Sequence, residues 1–186
     1  MKPFALAVLF ALLAPLATAA TYEIDPAHST ALFRINHLGF SFTHGTFSDL
    51  AGTIEFDAEK PEAAKVDVTI KTTSIDTQVA ARDEHLRGED FLDVAKYPEM
   101  SFKSTAWKKM DDTTYSITGD FTLHGVTKSI TVDMNKIGEG KDMKGTERIG
   151  FEGSFTIKRS EYGMDKMLPG VGDEVLIVFG TEGVKS

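Results

Sequence analysis

The sequence contains no cysteine, so disulfide bonds cannot stabilise the fold and thiol chemistry is excluded. Basic residues are also scarce: 20 Lys and Arg stand against 28 Asp and Glu, and the formal net charge is −8. This balance argues against nucleic acid as a partner, because phosphate binding needs clustered cations. After residue 20, no apolar run approaches the roughly 18 residues that a membrane-spanning helix needs.

The N-terminus carries the one long apolar run, Phe4 to Leu16, which follows Lys2 and precedes small residues. This pattern is typical of a secretory signal peptide, and Ala17-Thr18-Ala19 predicts cleavage after Ala19, with Ala20 as the alternative. Residues 1–19 are therefore predicted to be a signal peptide and residues 20–186 one domain. Removal of Lys2 takes the net charge to −9. The sequence predicts an exported, soluble and acidic protein.

Apolar residues alternate with polar ones along most of the remaining chain. Each alternating segment contains Thr, Val, Ile or Phe and is bounded by turn-forming residues. The segments are 31–35, 52–56, 66–70, 100–104, 115–123, 130–134, 151–157 and 175–179. This pattern predicts an all-β, antiparallel fold. About eight strands joined by short connections need a closed barrel or a sandwich to remove their edges.

Three glycines, Gly52, Gly119 and Gly153, lie on the apolar face of these strands. A missing side chain there either permits a sharp bend or leaves room for a bound molecule, and both interpretations stay open.

One segment, Val79 to Val94, has helical spacing instead, with Thr77 as its predicted cap and Gly88 dividing it into two short turns. It stops at Tyr97-Pro98. Because its apolar residues are few, we expect a short helical insertion that lies over an opening or side of the barrel.

The sequence predicts neither a catalytic serine nor a metal site. The stretch from Gly39 to Thr43 resembles a nucleophile elbow only superficially, since its last position is threonine and no strand-turn-helix follows. The histidines show no ligand-pair spacing, although a site assembled from distant histidines stays open. They are His28, His37, His44, His85 and His124.

The 13 phenylalanines far outnumber the four tyrosines and the single tryptophan, and most of them fall on the repeated strand face. That face has two interpretations: an ordinary core filled by its own side chains, or an apolar ligand cavity.

Short motifs throughout the chain are similar to those of the YceI-like family of polyisoprenoid-binding proteins, in the order and spacing of that family. They include 22–29 (YEIDPAHS), 33–39 (FRINHLG), 82–87 (RDEHLR), 90–93 (DFLD) and 119–128 (GDFTLHGVTK). The segment 159–164 (RSEYGM) departs from the enterobacterial members, and other members carry a similar R-S-x-x-G-M.

This resemblance implies a lipocalin-like antiparallel barrel in the periplasm whose hydrophobic pore holds a long isoprenoid chain. It implies no catalytic residues, and we expect no metal and no cofactor apart from the bound isoprenoid lipid. Family members are thought to act in the metabolism, transport or storage of isoprenoid quinones, and some accompany stress responses. We expect transient membrane contact, opposed by the acidic charge; the oligomeric state, including a homodimer, stays open.

The leading hypothesis is therefore a periplasmic protein that holds a polyisoprenoid, a quinone or a related lipid, without changing it. One alternative is an enzyme that acts on such a lipid through Asp25, His28, Arg82, Asp83 or His85. Another is a scavenger of diverse lipophilic compounds.

The predicted lipid contacts are apolar residues of the strand face and of the helical insertion. They are Phe33, Ile35, Phe42, Phe47, Ile54, Phe56, Leu86, Phe91, Phe102, Phe121, Phe155 and Ile157. Helical spacing places Arg82, His85 and Leu86 on one face, so Arg82 and His85 either meet an oxygenated head group or simply hold the helix to nearby loops.

Overall fold

The structure is a computed structural model that describes residues 19–186. The predicted signal peptide, apart from Ala19, lies outside the described residues. The described residues form eleven strands, one short α-helix and three 3-10 turns. The strands are β1 (Ala20–Ile24), β2 (Thr30–His37), β3 (Ser41–Phe47), β4 (Leu50–Phe56), β5 (Lys65–Lys71), β6 (Ile75–Asp76), β7 (Glu99–Lys109), β8 (Thr114–Leu123), β9 (Val126–Lys141), β10 (Glu147–Lys158) and β11 (Val171–Lys185); the helix is α1 (Ala80–Arg87).

Every strand pairing is antiparallel, and eight strands close into a ring. The ring runs β1-β4-β5-β7-β8-β9-β10-β11 and closes where β11 returns to β1. The predicted antiparallel barrel of about eight strands with a helical insertion is thus confirmed. All eight alternating segments of the sequence lie in strands, whereas β1, β3 and β6 were not predicted.

The remaining strands extend the barrel along its axis. The long strand β11 pairs with β1 through residues 183–185 and with β2 through residues 171–180. Strand β2 then forms a hairpin with β3, whose end pairs with the two-residue strand β6. The hairpin and the closed ring therefore lie one after the other along β11.

At each of the three apolar-face glycines, a neighbouring ring or backbone atom occupies the space that a side chain would need. A Cβ atom on Gly119 would lie 2.5 Å from Cζ of Phe102, and one on Gly153 would lie 2.7 Å from Cζ of Phe179. At Gly52 the Cβ would lie 2.0 Å from the backbone oxygen of Asp67. These positions need glycine because rings or backbone approach closely, so the space is filled by the protein itself.

The helix is shorter than the predicted segment: it ends at Arg87, and Gly88 begins a series of turns. The predicted cap was wrong, because Val79 occupies the cap position. Thr77 instead donates its backbone N–H (2.8 Å) and its hydroxyl (2.5 Å) to Asp83 Oδ1. The carboxylate of Asp83, which lies inside the helix, thereby holds the segment that precedes the helix. No helix among residues 19–186 is long and apolar enough to cross a membrane.

Candidate ligand cavity

The barrel interior contains two clusters of buried apolar residues, and one of them is solid. In this closed cluster, the Phe56 ring meets the rings of Tyr115 and Phe151 edge-on at 5.5 Å, and Trp107 lies 6.1 Å away. These aromatic side chains are each 5% exposed or less. These rings fill one end of the barrel with the protein's own side chains, while Val66, Val132 and Met134 of the same cluster border the cavity.

The other cluster surrounds a cavity of about 360 Å³. Its wall is almost wholly hydrocarbon, with phenyl rings and aliphatic side chains from every strand from β2 to β11. Nine of the predicted apolar lipid contacts line it: Phe33, Ile35, Phe47, Leu86, Phe91, Phe102, Phe121, Phe155 and Ile157. The volume lies within the range of about 300–1,000 Å³ that is typical of small-molecule sites.

Three predicted lining residues were misplaced. Ile54 and Phe56 do point into the barrel, but they belong to the closed cluster and do not line the cavity. Phe42 faces outward: it pairs with Asn36 and lies on the same sheet face as Arg34, whose guanidinium carbon is 4.3 Å from its ring centroid. Successive strand residues point to opposite faces, so a position next to an inward-facing one is directed to solvent.

The sequence analysis missed several lining residues. Val175, Ile177 and Phe179 lie on the inward face of β11. Their alternation was visible in the sequence and could have identified them. Met164 and Met167 belong to the loop that follows β10, where no periodic signal exists, so only the tertiary structure reveals them.

Arg159 is a buried charge in the cavity wall, only 4% exposed. It donates from Nε to the Gly172 carbonyl oxygen (2.8 Å), and its two terminal nitrogens donate to those of Met164 (2.6 Å) and Val171 (2.9 Å). Burial lowers the pKa of this guanidinium. Three carbonyls thus compensate the buried cation, and their bonds hold residues 163–172 against the barrel.

The cavity opens between α1, the tip of the β2–β3 hairpin and the loop 163–170. Three lining residues at this mouth are exposed: His37, His85 and Met167. Asp90 links two sides of the mouth, because its carboxylate lies 3.0 Å from Lys166 Nζ and 3.7 Å from His85 Nε2. The hydrogen bond from Lys166 lowers the pKa of Asp90.

Both candidate head-group residues line the cavity, but their bonding differs. Arg82 donates from Nε to Thr77 Oγ1 (2.8 Å) and from one terminal nitrogen to the Thr77 carbonyl oxygen (2.7 Å). These two bonds hold Arg82 to the segment that precedes the helix. The exposed ring of His85 stands edge-on to Phe91, with centroids 5.0 Å apart. It is the more available donor at the mouth.

The remaining acid-base candidates lie elsewhere. Asp83 is bound to Thr77, and neither Asp25 nor His28 lines the cavity. The hydrogen bond with His28 is the largest cause, and the one from Arg148 the second, that lowers the pKa of the Asp25 carboxyl to about 2. Asp25, His28 and Glu182 place their ligand atoms within 4.8 Å of one another, but Arg148 already bridges the two carboxylates at 2.9 and 2.5 Å. This cluster is an ion-pair network.

The YceI-like domain model matches residues 22–182 of the chain. Over its full length the chain is similar to Protein YceI of Escherichia coli, with 46% identity and 99% of that protein covered.

Among solved structures, the chain is similar to BcnA of Burkholderia cenocepacia, with a TM-score of 0.78, 25% identity, and 86% of this chain and 98% of that one covered. It also shares its fold with a polyisoprenoid binding domain from Saccharophagus degradans, implicated in plant cell wall breakdown. That match has a TM-score of 0.71 and 17% identity, and covers 90% of this chain and 99% of the other.

Proposed function

Since this chain belongs to the YceI-like domain family, we propose that it is a lipid-binding protein that holds a polyisoprenoid chain in its cavity. The observation that carries the proposal is the cavity of about 360 Å³, walled by hydrocarbon and open at one end. The description of the Saccharophagus domain as polyisoprenoid binding supports the same ligand class.

The hydrophobic effect supplies ample affinity for such a ligand. Burial of one five-carbon isoprene unit is worth about 3–4 kcal/mol at roughly 0.8 kcal/mol per methylene. Several units therefore outweigh the cost of association. A bilayer offers the same transfer energy, so the protein competes with the membrane through the shape of its cavity. The closed cluster limits how deep a chain enters, and the remaining length extends toward the mouth.

We propose that the ligand is bound without chemical change and that a quinone or related oxygenated head group lies at the mouth. His85 is the side chain best placed to donate to a head-group oxygen, since Arg82 is occupied by Thr77. His85→Ala is expected to weaken binding of a quinone more than that of a matched isoprenoid hydrocarbon. His44→Ala is the matched control, because this exposed histidine does not line the cavity.

We further propose a periplasmic role in carrying, storing or sequestering the lipid. The predicted signal peptide supports export. The acidic surface supports a protein that visits membranes briefly, because like charge opposes residence on anionic leaflets.

The direct test is native mass spectrometry and organic extraction of protein purified from its own source. Recovery of an unmodified isoprenoid lipid in near-stoichiometric amount is the expected result. Absence of lipid, together with no binding of an added fluorescent geranylgeranyl probe, would contradict the proposal. Recovery of a lipid that changes on prolonged incubation with the protein would favour the enzyme alternative.

A matched pair of substitutions on β11 localises the binding. Val175 lines the cavity, whereas Val178 on the same strand is exposed on the outer face. Val175→Phe is expected to fill part of the cavity and reduce the amount of lipid recovered, while Val178→Phe leaves it unchanged. Equal recovery from both variants would place the lipid elsewhere.

A broader range of lipophilic ligands is a second candidate, favoured by the methionines of the wall. Met100, Met134, Met164 and Met167 all line the cavity, and flexible thioether side chains adapt to ligands of different shape. Displacement of the geranylgeranyl probe by unrelated amphiphiles at similar concentrations would support this function. Displacement by isoprenoids alone would exclude it.

A further inference from the structure

Exposed apolar side chains gather beside the cavity mouth. At the tip of the β2–β3 hairpin, Phe40 is 89% exposed, and the neighbouring Leu38 is also exposed. The backbone N–H of Leu38 donates to the Gly170 carbonyl oxygen at 2.7 Å, which ties the tip to the loop 163–170. We call the exposed residues of these two segments the apolar rim: Leu38, Phe40, Phe42, Met167 and Leu168.

The apolar rim is continuous with the cavity. Met167 is both a rim residue and a lining residue, and His37, next to Leu38, lines the cavity and pairs with Val171. A hydrocarbon chain that leaves the cavity would therefore pass directly along the rim. A large exposed aromatic side chain such as Phe40 is unfavourable in water and marks an interaction surface when it belongs to such a patch.

The hairpin also lacks the negative charge of the rest of the molecule. Residues 26–48 contain no Asp or Glu, although the chain has 28 of these residues. Arg34 adds a positive charge beside Phe42. An anionic lipid surface, which repels the protein as a whole, thus meets no carboxylate on this hairpin.

We propose that the apolar rim docks on a lipid bilayer, with Phe40 inserted among the head groups, so that the cavity mouth faces the membrane. The purpose of this contact rests on the proposed function, since a carrier that docks in this way exchanges its lipid without moving the hydrocarbon chain through water. Apolar side chains beside positive charge are the combination that interfacial membrane segments use.

The absence of cysteine allows a site-specific test. An environment-sensitive dye is attached to Ser41→Cys, at the exposed residue next to Phe40, and the ligand-free protein is mixed with vesicles of phosphatidylethanolamine and phosphatidylglycerol. The control is Met143→Cys, at a fully exposed position in the β9–β10 hairpin. That hairpin lies beside the closed cluster, where the Tyr22 hydroxyl donates to Glu139. Vesicles are expected to shift the emission at position 41 and leave it unchanged at position 143.

A second comparison tests the role of the phenyl ring. Phe40→Ser in the labelled protein is expected to reduce vesicle partitioning about tenfold, as partial burial of one aromatic side chain predicts. Ile137→Ser, which removes an exposed apolar side chain from the β9–β10 hairpin, is expected to have no effect. Equal emission shifts at positions 41 and 143, no shift at either, or equal effects of the two serine substitutions would overturn the proposal.

A concentration-dependent shift at position 41 without vesicles would also overturn it, because the rim would then bind a second copy of the chain. The vesicle assay contains no isoprenoid, so its outcome is independent of whether lipid is recovered from the purified protein. Failure of docking and failure of the proposed function are therefore separate results.

Discussion

Two phenylalanines that both point into the barrel, Phe56 on β4 and Phe155 on β10, are expected to respond differently to truncation, because one fills the barrel and the other borders empty space. Phe56 is 2% exposed and is surrounded by aromatic rings in the closed cluster. Its replacement by alanine would leave a void among rigid neighbours, and we expect a loss of about 3–5 kcal/mol in the free energy of unfolding.

Phe155 lines the cavity and is only half-buried. Its ring contacts Phe121 at a centroid distance of 5.5 Å and Phe179 at 6.2 Å, while another side of it faces the cavity. Phe155→Ala enlarges an existing space and removes fewer packing contacts, so the expected loss of stability is smaller, about 1–3 kcal/mol. The ligand loses an apolar wall, and we expect its affinity to fall about tenfold.

Unfolding in urea should be followed by far-ultraviolet circular dichroism, because Trp107 contacts Phe56 and its fluorescence would report the substitution itself. Binding of the geranylgeranyl probe is then measured without urea, on variants whose circular dichroism spectra match that of the unsubstituted protein. If Phe56→Ala weakened binding by folded protein as much as Phe155→Ala did, the division into a closed end and a hollow end would be wrong. Unchanged affinity in Phe155→Ala, with lower stability, would make the apolar wall a closed core.

Three further substitutions test other parts of the structure. Asp25→Asn should lower the free energy of unfolding at neutral pH; because the folded pKa of about 2 lies below its ordinary value of 3.8, the difference from the unsubstituted protein should shrink as urea titrations approach pH 2. A difference that stays constant with pH would disprove this. Gly45→Ala places a Cβ 2.4 Å from the Phe33 ring; we expect about 1–3 kcal/mol of destabilisation and, as the ring moves into the cavity, weaker probe binding. Unaltered binding would show that the ring moves elsewhere. Arg82→Ala removes the bonds to Thr77 and should lower the melting temperature while weakening quinone and hydrocarbon binding equally. A larger loss for the quinone would identify Arg82 as a head-group contact.

Local patterns in the sequence were sufficient for eight of the eleven strands and for the segment that contains the helix. Alternation is a property of neighbouring residues, so it identified eight strands and the inward faces of Phe33 and Phe155 without knowledge of their partners. The charged segment with helical spacing likewise identified the insertion that contains α1. Strand β6 was not predicted because two residues are too few to show a periodicity, and β1 and β3 were not recognised as strands.

Alternation does not specify how far along the barrel axis a side chain lies. Phe56 and Phe155 share the same pattern in the sequence, yet β4 carries Phe56 into the closed cluster and β10 places Phe155 beside the cavity. Bonds from Arg159 to three backbone carbonyls help to hold residues 163–172 against the barrel, and these contacts follow no periodic rule. The sequence alone determined which residues of the eight alternating segments face inward, because that depends on each residue's neighbours in the chain. Only the tertiary structure decided which of them leave a space, because a cavity is the absence of atoms between side chains from distant strands.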